Sequence, residues 1–570
     1  MRSSVRRTFV LATLAALLLG VLGVSAPAAM AAKPPATRVA GIDIDATTIP
    51  QLQRLMDRHR LSSVQLVQFY LHRIKKLNPK LHAVIKVSST ALAQARDADK
   101  ARRRGDHRPL LGIPVIVKDN VDTTGMPTTA GSWALAGSKP TDAFIVQRMR
   151  AAGAIVIAKA NLSEWANFRS GPSSSGWSGI GGQTNMPYVL DRNPCGSSSG
   201  TGAAIAADLA TVGVGTETDG SIVCPSGANG LVGIKPTLGL WSRAGIVPIT
   251  ADQDTAGPMA RNVTDAAVLL GAVTGIDPAD DATADQAGRA YSDYTMFLDA
   301  DALDGARIGV WRVGTYDPTV SPEIEALMDD TVATLEAAGA TIVDPARIEI
   351  EPAYGPEFEA LLCEFKTDVA SYLATYTAAG YPKTLQSLID FNDAHPELEG
   401  PWNSALFELA QATGGRADPA CTAARDLATS TAQAAIDDLM AAHDLDAIIA
   451  PTNGPAWVTN SDPTKGDLDG DFSTFVGSSS PSAIAGYASI TVPAGFAGPL
   501  PLGVSFIGGR WDEPTLIGLG YAFEQATHAR VAPRFLASTS AAAARVQAGK
   551  VHGRSGAPDR QGKWRMPAVR

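Results

Sequence analysis

Short apolar runs alternate with amphipathic helical stretches along most of this chain. Residues 111–117 and 154–158 are largely apolar and rich in Ile and Val, which is typical of buried strands, whereas residues 141–152 between them are typical of a helix. Strands that are joined by crossover helices form an α/β fold in which helices cover the sheet. We therefore predict a single large α/β domain over residues 49–536, with a mixed β-sheet covered by helices.

The same periodicities predict the other elements of this domain. Residues 377–425 look rich in loops. Residues 354–410 and the loop 453–480 are candidates for lining a substrate pocket, from their position and composition. The remaining elements predicted are helices at 49–77, 89–104, 321–338, 356–376 and 513–528, and strands at 305–311, 446–450, 488–494 and 502–508.

The amino-terminal segment differs from the domain that follows it. Arginines precede an apolar run from Phe9 to Val24, and Ala29-Met30-Ala31 offers a cleavage site, so residues 1–31 are predicted to be a secretory signal peptide. The pair Arg6-Arg7 also fits a twin-arginine signal, and an ordinary Sec signal is the alternative. We expect a secreted protein in which residues 32–48 form a linker to the domain.

Charge and hydropathy restrict the partners of this chain. The net charge of −9 argues against a nucleic acid, because phosphate binding needs a basic surface. No apolar run reaches the ~20 residues that span a bilayer, so we predict no membrane association. Residues 537–570 hold seven Lys or Arg and one Asp and are predicted to be a disordered basic tail. The oligomeric state stays open.

Three segments contain more small residues than folding alone requires. They are PVIVKDNVDT at 114–123, NPCGSSSGTGAAIAADLA at 193–210 and GVGTETDGSIVCPSGANGLVGIKPTLGL at 213–240. A serine nucleophile needs an adjacent base, and no histidine lies between His107 and His395. A lysine at the end of a buried strand can act as that base, because desolvation disfavours its charged form. The pattern predicts a Ser/Lys site around Lys118.

These residues resemble the motifs of the amidase signature family over about residues 49–530. PVIVKDN resembles the family's lysine motif, and the resemblance implies that Lys118 is the base. The stretch Gly196-Ser197-Ser198-Ser199-Gly200 resembles its G-S-S-G-G motif and implies that Ser197 is the cis-serine. The loop TETDGS implies that Ser221 is the nucleophile. Further matches are KANLSEWANF at 159–168, IIAPT at 448–452 and SITVPAGF at 489–496.

The resemblance carries further implications for the site. It implies an oxyanion hole made by the backbone N–H groups of Thr218, Asp219, Gly220 and Ser221. Independently of the resemblance, Ser198 and Ser199 are interpreted as supporting hydrogen-bond partners or helix-capping groups, since serine favours turns and helix N-termini. The expected chemistry needs no metal and no organic cofactor, and the expected partner is a small-molecule or peptide amide.

Some of the motifs resemble one branch of the family more than the others. TETDGS, NPCGSSSG and the EFK at 364–366 are similar to the peptide amidases, which remove the C-terminal amide of peptides. The chain departs from the commonest pattern at Cys195, Ser199 and Asp219, each of which stands in place of a glycine. These departures affect the local backbone and not the identity of the three catalytic residues. We therefore expect an amidase whose substrates include peptide C-terminal amides.

Other functions remain open from the sequence. Residues 196–200 also fit G-x-S-x-G, which would make Ser198 the nucleophile of an α/β-hydrolase with His443 or His528 as base. Against this alternative, the polar stretch before the motif contains a proline and is not typical of a strand. The remaining alternatives are a general aliphatic or aryl amidase, an inactive binding protein and a glutamine-hydrolysing amidotransferase subunit.

The cysteines and an acidic turn are two smaller features of the sequence. The four cysteines allow three pairings, and Cys195 and Cys224 are expected to be packed thiols, with a disulfide between them as the alternative. The acidic turn 467–471 resembles a calcium loop but has Ser478 at its twelfth position, where such loops place a bidentate glutamate. We expect a solvated turn there.

Overall fold

Helices and strands alternate along the chain in a computed structural model that describes residues 36–171, 173–313, 322–400, 402–459 and 477–540. The strands are β1 (Arg38–Val39), β2 (Ile42–Asp43), β3 (Val84–Val87), β4 (Pro114–Lys118), β5 (Ile155–Ala160), β6 (Trp177–Ser178), β7 (Gly182–Gln183), β8 (Val212–Glu217), β9 (Val232–Lys235), β10 (Thr255–Ala260), β11 (Arg307–Val310), β12 (Thr341–Val343), β13 (Ala447–Pro451), β14 (Ser489–Ala497) and β15 (Leu500–Ile507). The helices are α1 (Ile49–Asp57), α2 (Ser63–Leu81), α3 (Ala91–Arg103), α4 (Phe144–Ala151), α5 (Ser199–Ala206), α6 (Val223–Ala228), α7 (Val263–Val273), α8 (Pro322–Ala337), α9 (Glu351–Tyr376), α10 (Leu385–Ala394), α11 (Pro396–Glu399), α12 (Ala405–Ala412), α13 (Pro419–His443), α14 (Ser480–Ala485) and α15 (Glu513–Thr527).

One sheet of eleven strands organises the described part of the chain. Its order is β12-β11-β13-β15-β14-β9-β10-β8-β4-β5-β3. Strand β4 is parallel to both of its neighbours, β5 and β8, whereas β10 runs antiparallel to β8 and to β9. The sheet is therefore mixed, and helices pack against it, which confirms the predicted α/β fold.

The strands at the centre of the sheet are buried on both faces. Every residue of β4, β5 and β8 is buried, which explains why these strands appear in the sequence as nearly continuous apolar runs. Apart from Glu217 at the end of β8, two charged residues interrupt this pattern, and both are lysines: Lys118 at the end of β4 and Lys159 in β5. A buried lysine costs free energy unless it is paired or neutral, so both residues call for an explanation.

The helix predicted over residues 49–77 is two helices in the structure. Helix α1 ends near His59, which has a positive φ of 56°. Ser62 caps the next helix, α2. Its hydroxyl accepts from the backbone N–H of Gln65, while the Gln65 side chain accepts from the backbone N–H of Ser62. This capping box satisfies two free donors at the start of α2, and it overrides the apolar stripe that runs through both helices.

The prediction that residues 377–425 are rich in loops is wrong. Helices α10, α11 and α12 and the start of α13 lie there. Thr384 caps α10, and Leu385, Leu388 and Ile389 form its buried face at the spacing of an amphipathic helix. The helices are short and the segments between them are polar, which hides the helical period in the sequence.

The predicted linker contains ordered structure from residue 36 onward. Strands β1 and β2 form an antiparallel pair, and Asp45 makes a two-bond ion pair with Arg530 after α15. The predicted signal peptide 1–31, most of the tail 537–570 and the acidic turn 467–471 lie outside the described residues. Among the helices that the structure describes, none has the length and apolarity needed to cross a membrane.

Candidate active site

Three segments meet where the central parallel strands end. Lys118 is the last residue of β4, and β8, which is parallel to β4, ends beside it at Glu217. Parallel neighbours bring their carboxyl ends to the same edge of a sheet. The loop that carries Ser197 leads into α5, and the turn that carries Ser221 leads from β8 into α6. The structure thus brings all three sequence-predicted residues to one edge of the sheet.

Lys118 is fully buried and contacts only neutral groups. Its Nζ donates to Ser197 Oγ at 2.7 Å, to Thr216 Oγ1 at 2.9 Å and to the Thr216 carbonyl oxygen at 3.2 Å. Among the described residues, no carboxylate forms an ion pair with this amine. Burial lowers the pKa of Lys118 to about 7, although the charges of Asp254 and Glu217 act in the opposite direction. A large fraction of the amine is therefore uncharged at neutral pH.

Lys159 is a second buried lysine, and its surroundings differ from those of Lys118. It is also fully buried, but its Nζ lies 3.2 Å from Asp119 Oδ1 and donates to Thr128 Oγ1 at 2.9 Å. Burial lowers the pKa of Lys159, and the negative charge of Asp119 opposes that shift. Paired with a carboxylate, Lys159 has a clear structural role, whereas Lys118 is held as an amine beside a hydroxyl.

Ser197 is fixed by its backbone and by the residues around it. The peptide bond between Gly196 and Ser197 is cis, and the Ser197 carbonyl accepts from the backbone N–H of Ser163 at 3.1 Å. A Cβ at position 196 would lie only 2.4 Å from Ser163 Oγ, so no side chain fits at Gly196. Ser163 belongs to the KANLSEWANF motif, which explains what this motif contributes to the site.

Ser198 connects the two serine loops. Its hydroxyl donates to the Thr216 carbonyl at 3.1 Å and lies 3.2 Å from the Thr216 N–H, and its own N–H donates to the Ser221 carbonyl at 3.2 Å. The side chain makes no capping hydrogen bond to α5. Of the two roles expected for Ser198, its contacts fit the supporting one.

Ser221 lies at the edge of this cluster with little of its surface exposed. Its side chain makes no hydrogen bond to any residue that the structure describes, so the hydroxyl is free to turn. The structure contains the link from Lys118 to Ser197 as a hydrogen bond. The link from Ser197 to Ser221 is not formed as a hydrogen bond here, although the bond between the Ser198 N–H and the Ser221 carbonyl keeps the two loops adjacent.

The backbone around Ser221 offers unused donors. Within the described chain, the N–H groups of residues 218–221 donate to no protein atom. The next two N–H groups, of Ile222 and Val223, donate to Glu217 Oε2 at 2.7 and 3.0 Å. Gly220 has φ of +78°, and a Cβ there would lie 2.8 Å from a neighbouring hydroxyl. Four free donors next to a serine are the arrangement that stabilises an oxyanion.

Several residues that support this backbone are not apparent from the sequence. Ser479 and Ser480 donate through their hydroxyls to the two carboxylate oxygens of Asp219, and Thr218 Oγ1 donates to Asp254 Oδ1 at 2.6 Å. Burial raises the pKa of Asp219 and raises that of Asp254 to about 6. These partners lie far away in the chain, and they belong to no local motif that could have revealed them.

The expectation that Cys195 and Cys224 are packed thiols is wrong. They form a disulfide, with Cα atoms 6.0 Å apart, between the Ser197 loop and α6 just after Ser221. A second disulfide joins Cys363 of α9 to Cys421 of α13. The cysteine count left three pairings open, and only the three-dimensional placement of the loops decides among them.

A cavity of about 450 Å³ lies beside Thr216, which accepts hydrogen bonds from Lys118. On the sheet side it is lined by Asn120, Thr216 and Thr218, and on the opposite side by Tyr372 and Tyr376 of α9. The α9 residues belong to the segment 354–410 proposed from the sequence as pocket lining. Among the described residues, no three His, Cys, Asp or Glu side chains are grouped so that they could hold a metal ion.

Comparisons with known proteins identify the family of this chain. The family model named Amidase matches residues 65–517. A probable amidase of Arabidopsis thaliana is 39% identical over 508 residues, covering 87% of this chain and 92% of the relative. A glutamyl-tRNA(Gln) amidotransferase subunit of Symbiobacterium thermophilum is 32% identical over 491 residues, with 84% of this chain and 96% of the relative covered.

Solved structures give the same result. The native peptide amidase of Stenotrophomonas maltophilia is 47% identical and superimposes with a TM-score of 0.80, covering 86% of this chain and 99% of that chain. The fold and these relatives define a hydrolase of amide bonds. The chain belongs to the amidase signature family and is an amidase, and its predicted resemblance to the peptide amidases is confirmed.

Proposed function

We propose that this amidase hydrolyses carboxamides through an acyl-enzyme, with Lys118 as base, Ser197 as proton relay and Ser221 as nucleophile. One observation carries the proposal. Lys118 is fully buried without a carboxylate partner among the described residues, its pKa is lowered to about 7, and its Nζ lies 2.7 Å from Ser197 Oγ. An amine in this state accepts a proton at neutral pH, which an ordinary lysine with a pKa near 10.5 does not.

The proposed acylation transfers two protons and forms one bond. Neutral Lys118 takes the Ser197 hydroxyl proton as Ser197 Oγ takes the Ser221 hydroxyl proton, and Ser221 Oγ attacks the amide carbon. The free N–H groups of residues 218–221 receive the oxyanion, and each such donor is worth ~3 kcal/mol in other hydrolases. One proton then reaches the leaving nitrogen, because Lys118 returns its proton to Ser197 as Ser197 gives one to the nitrogen. The C–N bond breaks, and ammonia departs as the tetrahedral adduct collapses to the acyl-enzyme.

Deacylation repeats these steps with water as the nucleophile. Water loses a proton to Ser197 and Lys118, attacks the acyl carbon, and Ser221 regains its proton as the carboxylic acid leaves. The free side chain of Ser221 fits this scheme, because its hydroxyl can turn so that its proton faces Ser197 Oγ and its oxygen faces the substrate carbon.

We further propose that the substrates include the C-terminal amides of peptides. The support is the 47% identity to a peptide amidase over nearly all of that protein, together with the TETDGS and NPCGSSSG motifs in the two serine loops. The relationship to a glutamyl-tRNA(Gln) amidotransferase subunit keeps glutamine as a second candidate substrate.

The proposed location of this activity is outside the cell. Two observations support export: the signal-like pattern of residues 1–31 and the two disulfides, which persist mainly in oxidising compartments. Expression of the full chain with its first 31 residues, or without them, followed by assay of amidase activity in the medium, tests this part. Equal activity in the medium for both forms would contradict it.

An ammonia-release panel tests the reaction. Wild-type protein is compared on peptide C-terminal amides, short aliphatic amides, aryl amides and glutamine, alongside Lys118→Met, Ser197→Ala and Ser221→Ala. We expect the highest kcat/KM on peptide amides and a loss of at least ~10⁴-fold for Ser221→Ala. Ser430→Ala removes an exposed hydroxyl of α13 that bonds only within its own helix, and it serves as the matched control.

Two results would contradict the proposal. Full activity of Ser221→Ala would show that Ser221 is not the nucleophile. Loss of activity in Ser198→Ala together with retained activity in Ser221→Ala would favour the α/β-hydrolase alternative. Preferential release of ammonia from glutamine would instead support a role like that of an amidotransferase subunit.

A further inference from the structure

Gln253 lies directly behind the backbone proposed as the oxyanion hole. It is in the loop before β10, and because β10 runs antiparallel to β8, this loop reaches the edge where β8 ends. The side chain is 1% exposed. Its Nε2 donates to the Thr218 carbonyl oxygen at 2.9 Å and to Glu357 Oε1 of α9 at 2.6 Å.

A second layer of contacts fixes which way the Gln253 amide faces. Arg425 Nη1 of α13 donates to Gln253 Oε1 at 2.7 Å. A guanidinium has no acceptor and a carbonyl has no donor, so the amide oxygen must face Arg425 and its nitrogen must face Thr218. Arg425 is itself held by two hydrogen bonds to Glu364, at 3.0 and 2.7 Å, and Thr250 donates to the same carboxylate at 2.6 Å.

The helices that carry these partners are joined covalently. Cys363 precedes Glu364 on α9, and it is bonded to Cys421, which lies one turn before Arg425 on α13. The residues that aim Gln253 therefore come from two helices held together at that level.

The contact with Thr218 acts on the peptide unit that follows it. The Thr218 carbonyl and the Asp219 N–H belong to one planar trans peptide and point in opposite directions. Fixing the carbonyl therefore fixes the direction of the N–H. We infer that Gln253 is a positioning residue, which holds the Thr218–Asp219 peptide so that the Asp219 N–H faces the oxyanion formed on the substrate.

The other side of this peptide is anchored independently. The Asp219 side chain accepts from the hydroxyls of Ser479 and Ser480 at the start of α14. With Gln253 bound to the carbonyl on one side and the carboxylate bound on the other, this N–H is oriented before substrate arrives. A donor that is oriented in advance requires no reorganisation when charge develops, and that is the source of its catalytic value.

The inference rests on the proposed function and is tested on the full-length protein. Gln253→Met keeps nearly the same volume and removes both amide donors, and Gln253→Asn keeps the amide but withdraws it by one methylene. We expect kcat for a peptide amide to fall by ~10- to 100-fold in both variants, less than the loss of a whole oxyanion donor, with KM within about threefold of wild type.

A second readout separates positioning from stability alone. A peptide aldehyde forms a tetrahedral adduct with a serine nucleophile, and we expect its affinity to fall in parallel with kcat, whereas that of the carboxylic acid product stays the same. Gln286→Met is the matched control. Gln286 is a buried glutamine whose amide also donates to backbone carbonyls, at Gly239 and Gly275, and its loss should change unfolding temperature but not kcat.

The outcomes separate this inference from the proposed function. If wild type hydrolyses the amide and Ser221→Ala does not, the function stands, and a wild-type kcat in Gln253→Met or Gln253→Asn overturns the inference alone. Equal losses of affinity for the aldehyde and for the acid would also overturn it. A wild-type protein that releases no ammonia from any amide would overturn both.

Discussion

The pH dependence of amide hydrolysis is the most direct test of the buried lysine. Burial moves the pKa of Lys118 from 10.5 to about 7, so roughly half of the amine is neutral at pH 7 and roughly 1% at pH 5. With an unshifted pKa, only about 0.03% would be neutral at pH 7. Because acylation needs the neutral form, we expect kcat/KM to rise about tenfold per pH unit below 7 and to level off above it.

The assay is initial-rate ammonia release from a peptide amide between pH 5 and 9. Asp254→Asn identifies the titrating group, because the Asp254 charge raises the pKa of Lys118 and its removal should move the midpoint to lower pH, whatever happens to the plateau. A flat profile, or a midpoint near 10, would refute a desolvated lysine base. A midpoint near 7 that Asp254→Asn leaves in place would assign the titration to another group.

Three further predictions concern stability and the two serine loops. The pKa of Lys118 is lower in the folded than in the unfolded protein, so the burial of its charge costs free energy of folding, fully below pH 7 and less as the pH rises toward 10.5. Lys118→Met should remove this cost, on the order of 4 kcal/mol at pH 7, less about 1–2 kcal/mol for lost hydrogen bonds. A urea melt that shows lower stability than wild type would contradict this prediction. Replacing Cys195 and Cys224 together by serine should lower the free energy of unfolding, measured in a urea melt, by ~2–4 kcal/mol and should reduce kcat for ammonia release. If both values were unchanged, the disulfide would not be what holds the two loops together. Gly220 has φ of +78°, and the Cβ of Gly220→Ala would lie 2.8 Å from Ser479 Oγ, so this variant should lower kcat at least tenfold while its circular dichroism spectrum stays that of a folded protein. Retained activity would argue against the proposed oxyanion hole.

The parts of the site that were predictable from the sequence are those encoded by contiguous residues. Lys118 follows an apolar strand, and Ser197 and Ser221 lie in loops dense in glycine and serine, so their neighbourhood is visible in the local pattern. The α/β fold was predictable for the same reason, because buried strands and amphipathic helices each have a local period.

The parts that were missed depend on contacts between distant segments. Gln253 contacts Thr218 only because β10 returns antiparallel beside β8, and a single glutamine carries no pattern that announces this. The disulfide between Cys195 and Cys224 was one of several possible pairings, and its formation depends on how two loops fold against each other. Capping at Ser62 likewise outweighed a continuous apolar stripe.

The mixed sheet has a consequence for how such an enzyme can change its substrates. The residues proposed as base and nucleophile lie where the central parallel strands β4 and β8 end, and helices α9 and α13 contact the Thr218 backbone there through Gln253, from the loop before β10. Substitutions in α9 can therefore alter the lining of the cavity without changing any residue of the proposed proton relay. The sheet thus carries the proposed proton relay, whereas a separate helical layer carries much of the cavity wall.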